Sequence, residues 1–582
     1  MKYYLITTSD VRSWKFDRKV LFLGEWCINN ENKKHLINLD YKIMPPIEID
    51  GNTRKKNLLK IEKYIRILMP LISKSLNEHH NVKYSERYWT ILIGHWLHRV
   101  ISTIFNRYQT LEKAFKDFKL SGTTILKFED SFLATKDTYD FMYASNDKTW
   151  NHLLYSLIIN HYKIKDLKLN YKFIKGTFYF FKTYKKNSSK IKEAIKFSLS
   201  KITNLFLKQN DALILNSYLS SFEYIKLNFY LKQFPQYYLP KKINYFSPRT
   251  RKLFLPKANH TDPILRFIQK HFYDFFPTCF FESYNMLKKL QKNVFFPSKP
   301  KFIFTSNSYD TDEVFKIWVA KKTEEKFKYF VGQHGNNSGQ HFYLGHSSWP
   351  ERYTTDRFIS WGWDDNKKNT LKGFNFKKSI NLKLKKNKKR LLLINTCVEH
   401  NHFPWDVIND YKKNLLEQIN FAKNLKSNIK NSLTIRLYQI ENQFDFEEEK
   451  IWKEDFYNLP IDRNIYSFKE SIKKSRICIF SYDSTGFLEL ISNNIPCLAF
   501  WPNLESHLND DAKFYYRKLK KCKIIHESGK DAALFVNEIW NDIENWWDSK
   551  GVVEAKNIFC ENYTKKVNNV AFELTKLLDR NL

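Results

Sequence analysis

The stretch from Arg476 to Trp501 constrains the fold more than any other part of this chain. An apolar run, Arg476 to Ser481, ends at the polar stretch Tyr-Asp-Ser-Thr-Gly, and a short amphipathic segment leads to a second apolar run. This order predicts a strand, a loop over 482–485, a short helix over 486–493 and another strand. Neighbouring strands that are joined through a helix run parallel. The stretch therefore predicts an α/β fold with a parallel sheet.

The same order of elements occurs twice more. KFIFTSN (301–307), a helical period over 312–325 and KYFVG (328–332) form one predicted βαβ unit. RLLLINT (390–396), a helix and SLTIRLY (432–438) form the other. A chain of 582 residues is too long for one hydrophobic core. We therefore predict two doubly wound α/β halves that are joined by a basic linker.

The predicted boundaries follow from these units. The N-terminal domain spans 1–375 and includes a large helical elaboration from about 53 to 300, where the apolar period is mostly helical. A basic linker spans 376–389, and the C-terminal domain spans 390–550. Residues 551–582 form the predicted C-terminal helix.

Lysine and arginine exceed aspartate and glutamate by 36. This excess favours anionic partners such as nucleotides, acidic sugars or lipid phosphates, although a solvated surface without a specific partner is an equal alternative. The lysines are spread over nearly every segment and no RNA- or DNA-binding motif occurs, so we expect no nucleic-acid partner. The seven cysteines form no C-x-x-C pair and no zinc spacing. We therefore expect reduced thiols, no bound metal and a cytoplasmic protein, with peripheral contact to the inner face of an anionic membrane as a further option.

The polar stretch lies at the carboxyl end of a predicted parallel strand, where open α/β sheets bind ligands. Ser484 and Thr485 are suited to cap a helix, and the free N–H groups of a helix start bind phosphate. Gly486 allows a ligand to come close to the backbone. Glu489, one turn later, is placed to accept hydrogen bonds from ribose hydroxyls. The alternative is an ordinary capped helix between two buried strands.

A second candidate loop follows another predicted strand. Its first residues are Gly332, Gln333, His334, Gly335 and Asn336. Glycines and amides in such a loop allow close contact with a substrate. His334 is a candidate proton donor or phosphate partner, or else a structural histidine.

Four other side chains are weaker candidates. Glu25 lies on a turn after an apolar run and is a general-base candidate. Arg436 is a phosphate partner or a surface arginine. His95 and Trp96 belong either to a helix core or to an acceptor site.

Six motifs occur in order: VLFLGEWC (20–27), YSERYWTILIGHWLHRVI (84–101), FVGQHG (330–335), FISWGW (358–363), RLY (436–438) and YDSTGFLELISNNIPCLAFW (482–501). Together they resemble a bacterial family of transferases that is encoded in surface-polysaccharide gene clusters. The resemblance implies a GT-B-type glycosyltransferase, with two Rossmann-like domains that face each other across a cleft. In such enzymes the acceptor enters from the N-terminal domain, the C-terminal domain binds the nucleotide-sugar, and the last helix often crosses back to the first domain.

The resemblance also implies roles for individual residues. Tyr482, Asp483, Ser484 and Thr485 would form the donor-phosphate loop, and Glu489 would lie nearby. A more remote similarity to sialyl- and Kdo-transferases implies that Glu25 deprotonates the acceptor hydroxyl and that His334 or Arg436 stabilises the departing phosphate. The chain departs from the family pattern after the QHG motif, where it has Asn336, and after RLY.

We therefore expect a metal-independent enzyme without a cofactor. It would transfer a sugar from a CMP- or UDP-linked donor to a surface-glycan or lipid-linked acceptor. The alternatives are an epimerase or a phosphotransferase on the same fold and, with less support, a basic nucleic-acid-binding protein.

Overall fold

The chain folds into three parallel β-sheets with helices packed against them. The computed structural model describes residues 2–582 except 30, 48–49, 165, 181–197, 199, 201, 240–244, 252, 254, 257–260, 336–337, 348, 378–388, 397–403, 438–447 and 464–465. All strand pairs within the three sheets are parallel. The predicted α/β class is therefore confirmed.

Sheet 1 has the strand order β3-β2-β1-β4-β5. Its strands are β1 (Tyr3–Ile6), β2 (Val20–Phe22), β3 (Tyr41–Ile43), β4 (Leu120–Phe132) and β5 (Lys168–Tyr179). The strands β1 and β2 are short apolar segments that are almost fully buried, as expected for parallel strands covered on both faces. The order reverses between β1 and β4, as it does in dinucleotide-binding folds.

Four helices accompany sheet 1: α1 (Gly51–His80), α2 (Glu86–Asp117), α3 (Thr138–Ala144) and α4 (Lys148–Tyr162). The two long helices confirm the helical period over the first part of the predicted elaboration. The prediction is wrong for β4 and β5, which lie within the region expected to be helical. No residue of β5 is buried and half of its residues are exposed, so its long backbone pairing with β4, rather than a buried apolar pattern, stabilises it.

Sheet 2 has its strands in chain order, from β6 to β10. They are β6 (Leu213–Leu215), β7 (Ile303–Thr305), β8 (Tyr329–Gly332), β9 (Arg357–Ile359) and β10 (Thr370–Leu371). The helices of this region are α5 (Ser221–Tyr230), α6 (Pro263–Phe275), α7 (Tyr284–Lys292), α8 (Ser308–Thr311), α9 (Glu313–Glu324), α10 (Phe342–Ser347) and α11 (Trp349–Thr354). The βαβ unit predicted at 301–332 is confirmed. The sequence did not predict that two separate sheets precede the linker.

Sheet 3 has the order β13-β12-β11-β14-β15-β16, which reverses between β11 and β14. Its strands are β11 (Arg390–Ile394), β12 (Leu433–Arg436), β13 (Ile461–Asp462), β14 (Ser475–Phe480), β15 (Cys497–Phe500) and β16 (Ile525–His526). Its helices are α12 (Val407–Lys423), α13 (Ser427–Lys430), α14 (Glu448–Asp455), α15 (Phe468–Lys473), α16 (Thr485–Ser492), α17 (Asp510–Lys521), α18 (Gly529–Ile539) and α19 (Ile543–Trp547). This is the strand order of dinucleotide-binding domains.

The chain ends with α20 (Lys550–Tyr563) and α21 (Val570–Asp579). The helix α20 packs on α16 and α17 of sheet 3, whereas α21 packs on α5 beside sheet 2. Between the two helices, the N–H of Lys565 donates to the carbonyl oxygen of Trp361 over 2.9 Å. The C-terminus therefore connects sheet 3 to sheet 2.

We expect Gly529→Ala to destabilise sheet 3. Gly529 begins α18, and a Cβ atom there would overlap the backbone carbonyl oxygen of Glu417 in α12. Two packed helices would have to separate, which costs about 1–3 kcal/mol. Gly551→Ala is the matched control, because a Cβ atom in the first turn of α20 would contact only the sulfur of Cys522, at 4.0 Å. Chemical denaturation that gave equal losses for both variants would contradict this account.

Candidate functional site

The polar stretch lies at the switch point of sheet 3, beside the carboxyl end of β14. The helix α16 begins at Thr485, and Ser484 is its N-cap: its Oγ accepts from the N–H of Phe487 over 3.3 Å. The predicted strand, loop and capped helix are therefore confirmed, with the helix starting one residue earlier than expected. The first N–H groups of α16 lie where the strand order reverses, which is the position at which open α/β sheets bind ligands.

The loop after β8 packs directly on the start of α16. Gly335 has a φ of +147°, and a Cβ atom at this position would lie 2.7 Å from Oγ1 of Thr485. Only glycine fits both the backbone conformation and this short separation. The carboxyl edge of sheet 2 and the helix start of sheet 3 therefore meet at Gly335. Asn336, the next predicted site residue, lies outside the described residues.

His334 precedes this contact and is held through one ring nitrogen. Its Nδ1 lies 3.1 Å from the hydroxyl oxygen of Tyr218 and 3.2 Å from the carbonyl oxygen of Ser306. A carbonyl oxygen can only accept, so this geometry assigns the ring proton to Nδ1 and the lone pair to Nε2. Burial lowers the pKa of His334, which favours the neutral ring.

Tyr218 was not predicted from the sequence. It follows β6 at the carboxyl edge of sheet 2, and its φ of +62° is a left-handed conformation that a bulky residue rarely adopts. Such strain is characteristic of functional sites, where the surrounding structure holds it. Burial raises the pKa of Tyr218 to about 12, so its hydroxyl remains protonated near neutral pH.

Gly332 and Gln333, at the end of β8, fix the conformation of the loop that follows. A Cβ atom on Gly332 would overlap Phe376, and would lie 2.7 Å from Oγ of Ser306. The side-chain oxygen of Gln333 accepts from the N–H of Trp361 over 3.0 Å and from the indole N–H of Trp363 over 2.7 Å. Both residues are buried, so they shape the loop instead of facing a ligand.

Asp483 has its side chain fully buried and links the two halves of the site. Nε2 of His341, which follows the β8 loop, donates to its carboxylate over 2.9 Å, and the Tyr516 hydroxyl donates to the same oxygen. Asp483 therefore positions the loop. Gly486 serves packing, because a Cβ atom there would lie 3.0 Å from Phe480. The side chain of Tyr482, the residue before Asp483, is half-buried.

Glu489 is paired with a lysine that the sequence analysis missed. Its carboxylate lies 2.5 Å from Nζ of Lys377, at the start of the predicted linker. Lys377 also lies near enough to His334 to contribute to its lowered pKa. The lysine therefore places a cation between the two loops. No local pattern marks it, because the contact joins two residues that lie far apart in the sequence.

Two predicted site residues are engaged elsewhere. The Arg436 guanidinium is buried and donates to Asp462, Ser471 and the carbonyl oxygen of Tyr466 over 2.7–3.2 Å. This network links β12 to β13 and leaves Arg436 a structural role, which corrects the expectation of a phosphate contact. Glu25 lies 2.5 Å from Nζ of Lys412 in α12, a helix that accompanies sheet 3.

His95 and Trp96 are buried in α2. Trp96 is fully buried and packs edge-on against Phe272 and Phe276, which favours the core interpretation over acceptor contact. His95 lies 3.8 Å from Asp310, which follows β7, and burial lowers the pKa of His95 to about 3. These positions make the two residues a support for sheet 2.

Asp310 connects this support to the site. The Arg99 guanidinium donates to both of its oxygens, over 2.6 and 3.0 Å, and holds the pKa of Asp310 far below its usual range. Its negative charge in turn contributes to the raised pKa of Tyr218 and opposes the fall in the pKa of His334. The GHWLHR motif therefore acts on the site through Asp310.

Two negative findings apply to the described part of the chain. No three histidine, cysteine, aspartate or glutamate side chains gather there in a way that would hold a metal ion. No helix among these residues has both the length and the apolar character needed to cross a bilayer.

The model of the LIC12162 family transferase matches residues 3–578. The chain belongs to this family. It is therefore a transferase, as the resemblance of the six motifs implied. No curated protein matches the chain.

Similar solved structures include a UDP co-structure, a polymerase and an epimerase. The UDP co-structure of MnaA from S. aureus is 13% identical and covers 53% of this chain and 83% of its own, with a TM-score of 0.32. The wall teichoic acid polymerase TagF with CDPG is 12% identical and covers 68% of this chain and 98% of its own, with a TM-score of 0.31. UDP-GlcNAc 2-epimerase from Neisseria meningitidis bound to UDP-GlcNAc is 12% identical and covers 78% of this chain and 100% of its own, with a TM-score of 0.32. Because these TM-scores are low, the α/β fold is established by the chain's own parallel sheets.

We expect buried histidines to make the fold sensitive to acid. Burial lowers the pKa of His95 to about 3 and that of His98 to about 4, whereas an unfolded histidine titrates near 6.5. Between these values the unfolded chain binds more protons, so stability is complete above about pH 6.5 and decreases as the pH falls. The expected loss is about 2 kcal/mol per ring at about pH 5.

Chemical denaturation at two pH values checks this prediction. His98→Leu should lose less stability on acidification than the wild type, and His35→Gln, at an exposed position, is the control. An unchanged acid response in the His98 variant would show that its burial does not couple to stability.

Proposed function

We propose that this transferase moves a sugar from a nucleotide-activated donor to a surface-glycan or lipid-linked acceptor, in a GT-B-type cleft and without a metal or cofactor. Membership in a transferase family supports the reaction class. The observation that carries the proposal is the contact between Gly335 and Thr485, which sets a helix start at a switch point against a loop that carries a neutral histidine.

The donor phosphate would bind at the start of α16. Its free N–H groups and the capping residue Ser484 suit an oxyanion, and Lys377 supplies a positive charge beside them. Glu489 is paired with Lys377, so donor binding would exchange this ion pair for a lysine–phosphate contact. CMP- and UDP-linked sugars both fit this chemistry.

We assign the general base to His334. Its Nε2 carries the lone pair in the assigned tautomer, and its lowered pKa keeps the ring neutral at neutral pH. In the transfer, the acceptor oxygen bonds to the anomeric carbon while its proton passes to Nε2. The bond from that carbon to the phosphate oxygen breaks, and the nucleotide leaves with the electron pair. Glu25, in its pair with Lys412, is the second candidate base.

His334→Gln should lower kcat by about 10²–10⁴-fold and leave donor affinity within a few-fold, because general-base catalysis contributes in this range. Activity of the wild type should fall as the pH drops below the usual histidine range, since protonated Nε2 cannot accept a proton. Glu25→Gln is the matched comparison. Loss of turnover in the Glu25 variant together with normal turnover in the His334 variant would show that Glu25, and not His334, is the general base.

Gly335→Ala should weaken donor binding by about tenfold or more, because its Cβ atom would push the β8 loop away from Thr485. Calorimetry with UDP- and CMP-linked sugars measures the effect. Gly176→Ala is the control for backbone strain, because Gly176 also has a positive φ, of +94°, but nothing lies within 4 Å of its Cβ position.

If a donor bound equally well to the wild type and to the Gly335 variant, its nucleotide would not bind between the β8 loop and the start of α16. Conversion of a nucleotide-sugar to its epimer without any acceptor would favour the epimerase alternative over glycosyl transfer.

A further inference from the structure

The helix α5 presents an apolar face to solvent. Phe222 is 66% exposed, Ile225 is 56% exposed and Phe229 is 77% exposed. These positions are three and four residues apart, so the three side chains form one stripe along the helix. The solvent face of a helix in a globular protein is normally polar, and a row of exposed aromatic residues indicates an interaction surface.

The opposite face of α5 already has its partners. Leu227 is fully buried, and α21 packs on this side, where the N–H of Ala571 donates to Glu223 over 2.9 Å. The stripe is therefore not the core-facing side of a helix that lacks its contacts. It is an additional surface, directed away from sheet 2.

Other apolar side chains are exposed in the segments that flank α5 in the chain. The rings of Phe206 and Phe234 stack with their centroids 4.5 Å apart, and both side chains are about half exposed, at 49% and 52%. Leu205, next to Phe206, is 82% exposed. Exposed apolar side chains therefore occur both before and after α5 in the sequence.

Basic residues accompany the stripe. Lys226 lies within it, with Nζ 4.4 Å from the centre of the Phe222 ring, and Lys208 and Lys232 are exposed on the flanking segments. The whole chain carries a formal net charge of +36. Aromatic and aliphatic side chains with lysines between them match the boundary layer of a bilayer, where rings enter the acyl region and ammonium groups meet anionic headgroups.

The stripe begins close to the candidate site. Ser220 caps α5 two residues after Tyr218, whose hydroxyl contacts His334. The Cα atoms of Tyr218 and Phe222 are four residues apart, so they lie at most about 14 Å from each other. A surface that binds the stripe would therefore lie next to the carboxyl edge of sheet 2.

We propose that α5 docks on an anionic lipid bilayer. Phe222, Ile225 and Phe229 enter the boundary between headgroups and acyl chains, and Lys226 and Lys232 contact the anionic headgroups. Where the proposed function holds, this docking brings His334 to the membrane surface and selects a lipid-linked acceptor over a free glycan. The docking itself does not depend on the transfer reaction.

Vesicle flotation with the full chain tests the docking. The wild type should float with vesicles of phosphatidylcholine and phosphatidylglycerol in equal parts, and binding should be weaker at high salt and with phosphatidylcholine alone. The double variant Phe222→Ser, Phe229→Ser should bind the mixed vesicles at least about tenfold more weakly. Phe514→Ser is the matched control, because Phe514 is also an exposed helical phenylalanine, at 57%, with Lys518 lying 5.0 Å over its ring.

Equal binding by the wild type and the double variant would overturn the proposal, as would failure of the wild type to float. Light scattering measures the oligomeric state of both proteins. If the wild type is a dimer and the double variant is a monomer, the stripe is an interface between copies of the chain, which would overturn lipid docking. Calorimetry with nucleotide-sugars on the same samples distinguishes the two proposals. Donor binding without flotation contradicts only the docking, and flotation without donor binding contradicts only the proposed function.

Discussion

The geometry of the site depends on the close approach of Gly335 to Thr485. This contact joins the loop after β8 to the first turn of α16, and it requires a residue without a side chain in a left-handed backbone. Buried polar groups around it fix both partners: Gln333 holds the loop through Trp361 and Trp363, and Asp483 receives His341. Sheets 2 and 3 thus meet through the close approach of Gly335 to Thr485, with the buried His341–Asp483 pair beside it.

The sequence predicts those parts of the site whose determinants are local. The strand, the serine cap and the apolar period of α16 occur within twenty residues, so Ser484 could be recognised from its neighbours alone. Tyr218 could not be, because β6 has only three residues and is defined by its pairing with β7. The pairing of Lys377 with Glu489 could not be recognised either, because the two residues lie far apart in the sequence. Arg436 shows the reverse case, since a guanidinium at a strand end has the same sequence signature whether it meets a phosphate or Asp462.

Family motifs that lie far from the cleft also have a physical explanation. The GHWLHR motif places Arg99 and His95 against Asp310, and Asp310 affects the charge state of groups around His334. Gly362 of the FISWGW motif has a φ of +125°, and a Cβ atom there would lie 2.7 Å from the carbonyl oxygen of Glu561 in α20. The first motif therefore acts on the groups around His334 through Asp310, and the second holds the C-terminal segment against the end of β9.

The C-terminal return has a mechanical consequence. Sheet 3 is attached to sheet 2 by two passages of chain, one after β10 and one between α20 and α21. These passages are hydrogen-bonded to each other, because the N–H of Asn375 donates to the carbonyl oxygen of Lys565 over 2.7 Å. Two neighbouring connections, hydrogen-bonded to each other, hold sheets 2 and 3 at a fixed separation beside Trp361. We therefore expect any rearrangement that admits a donor to be smallest there and larger at positions farther from this connection.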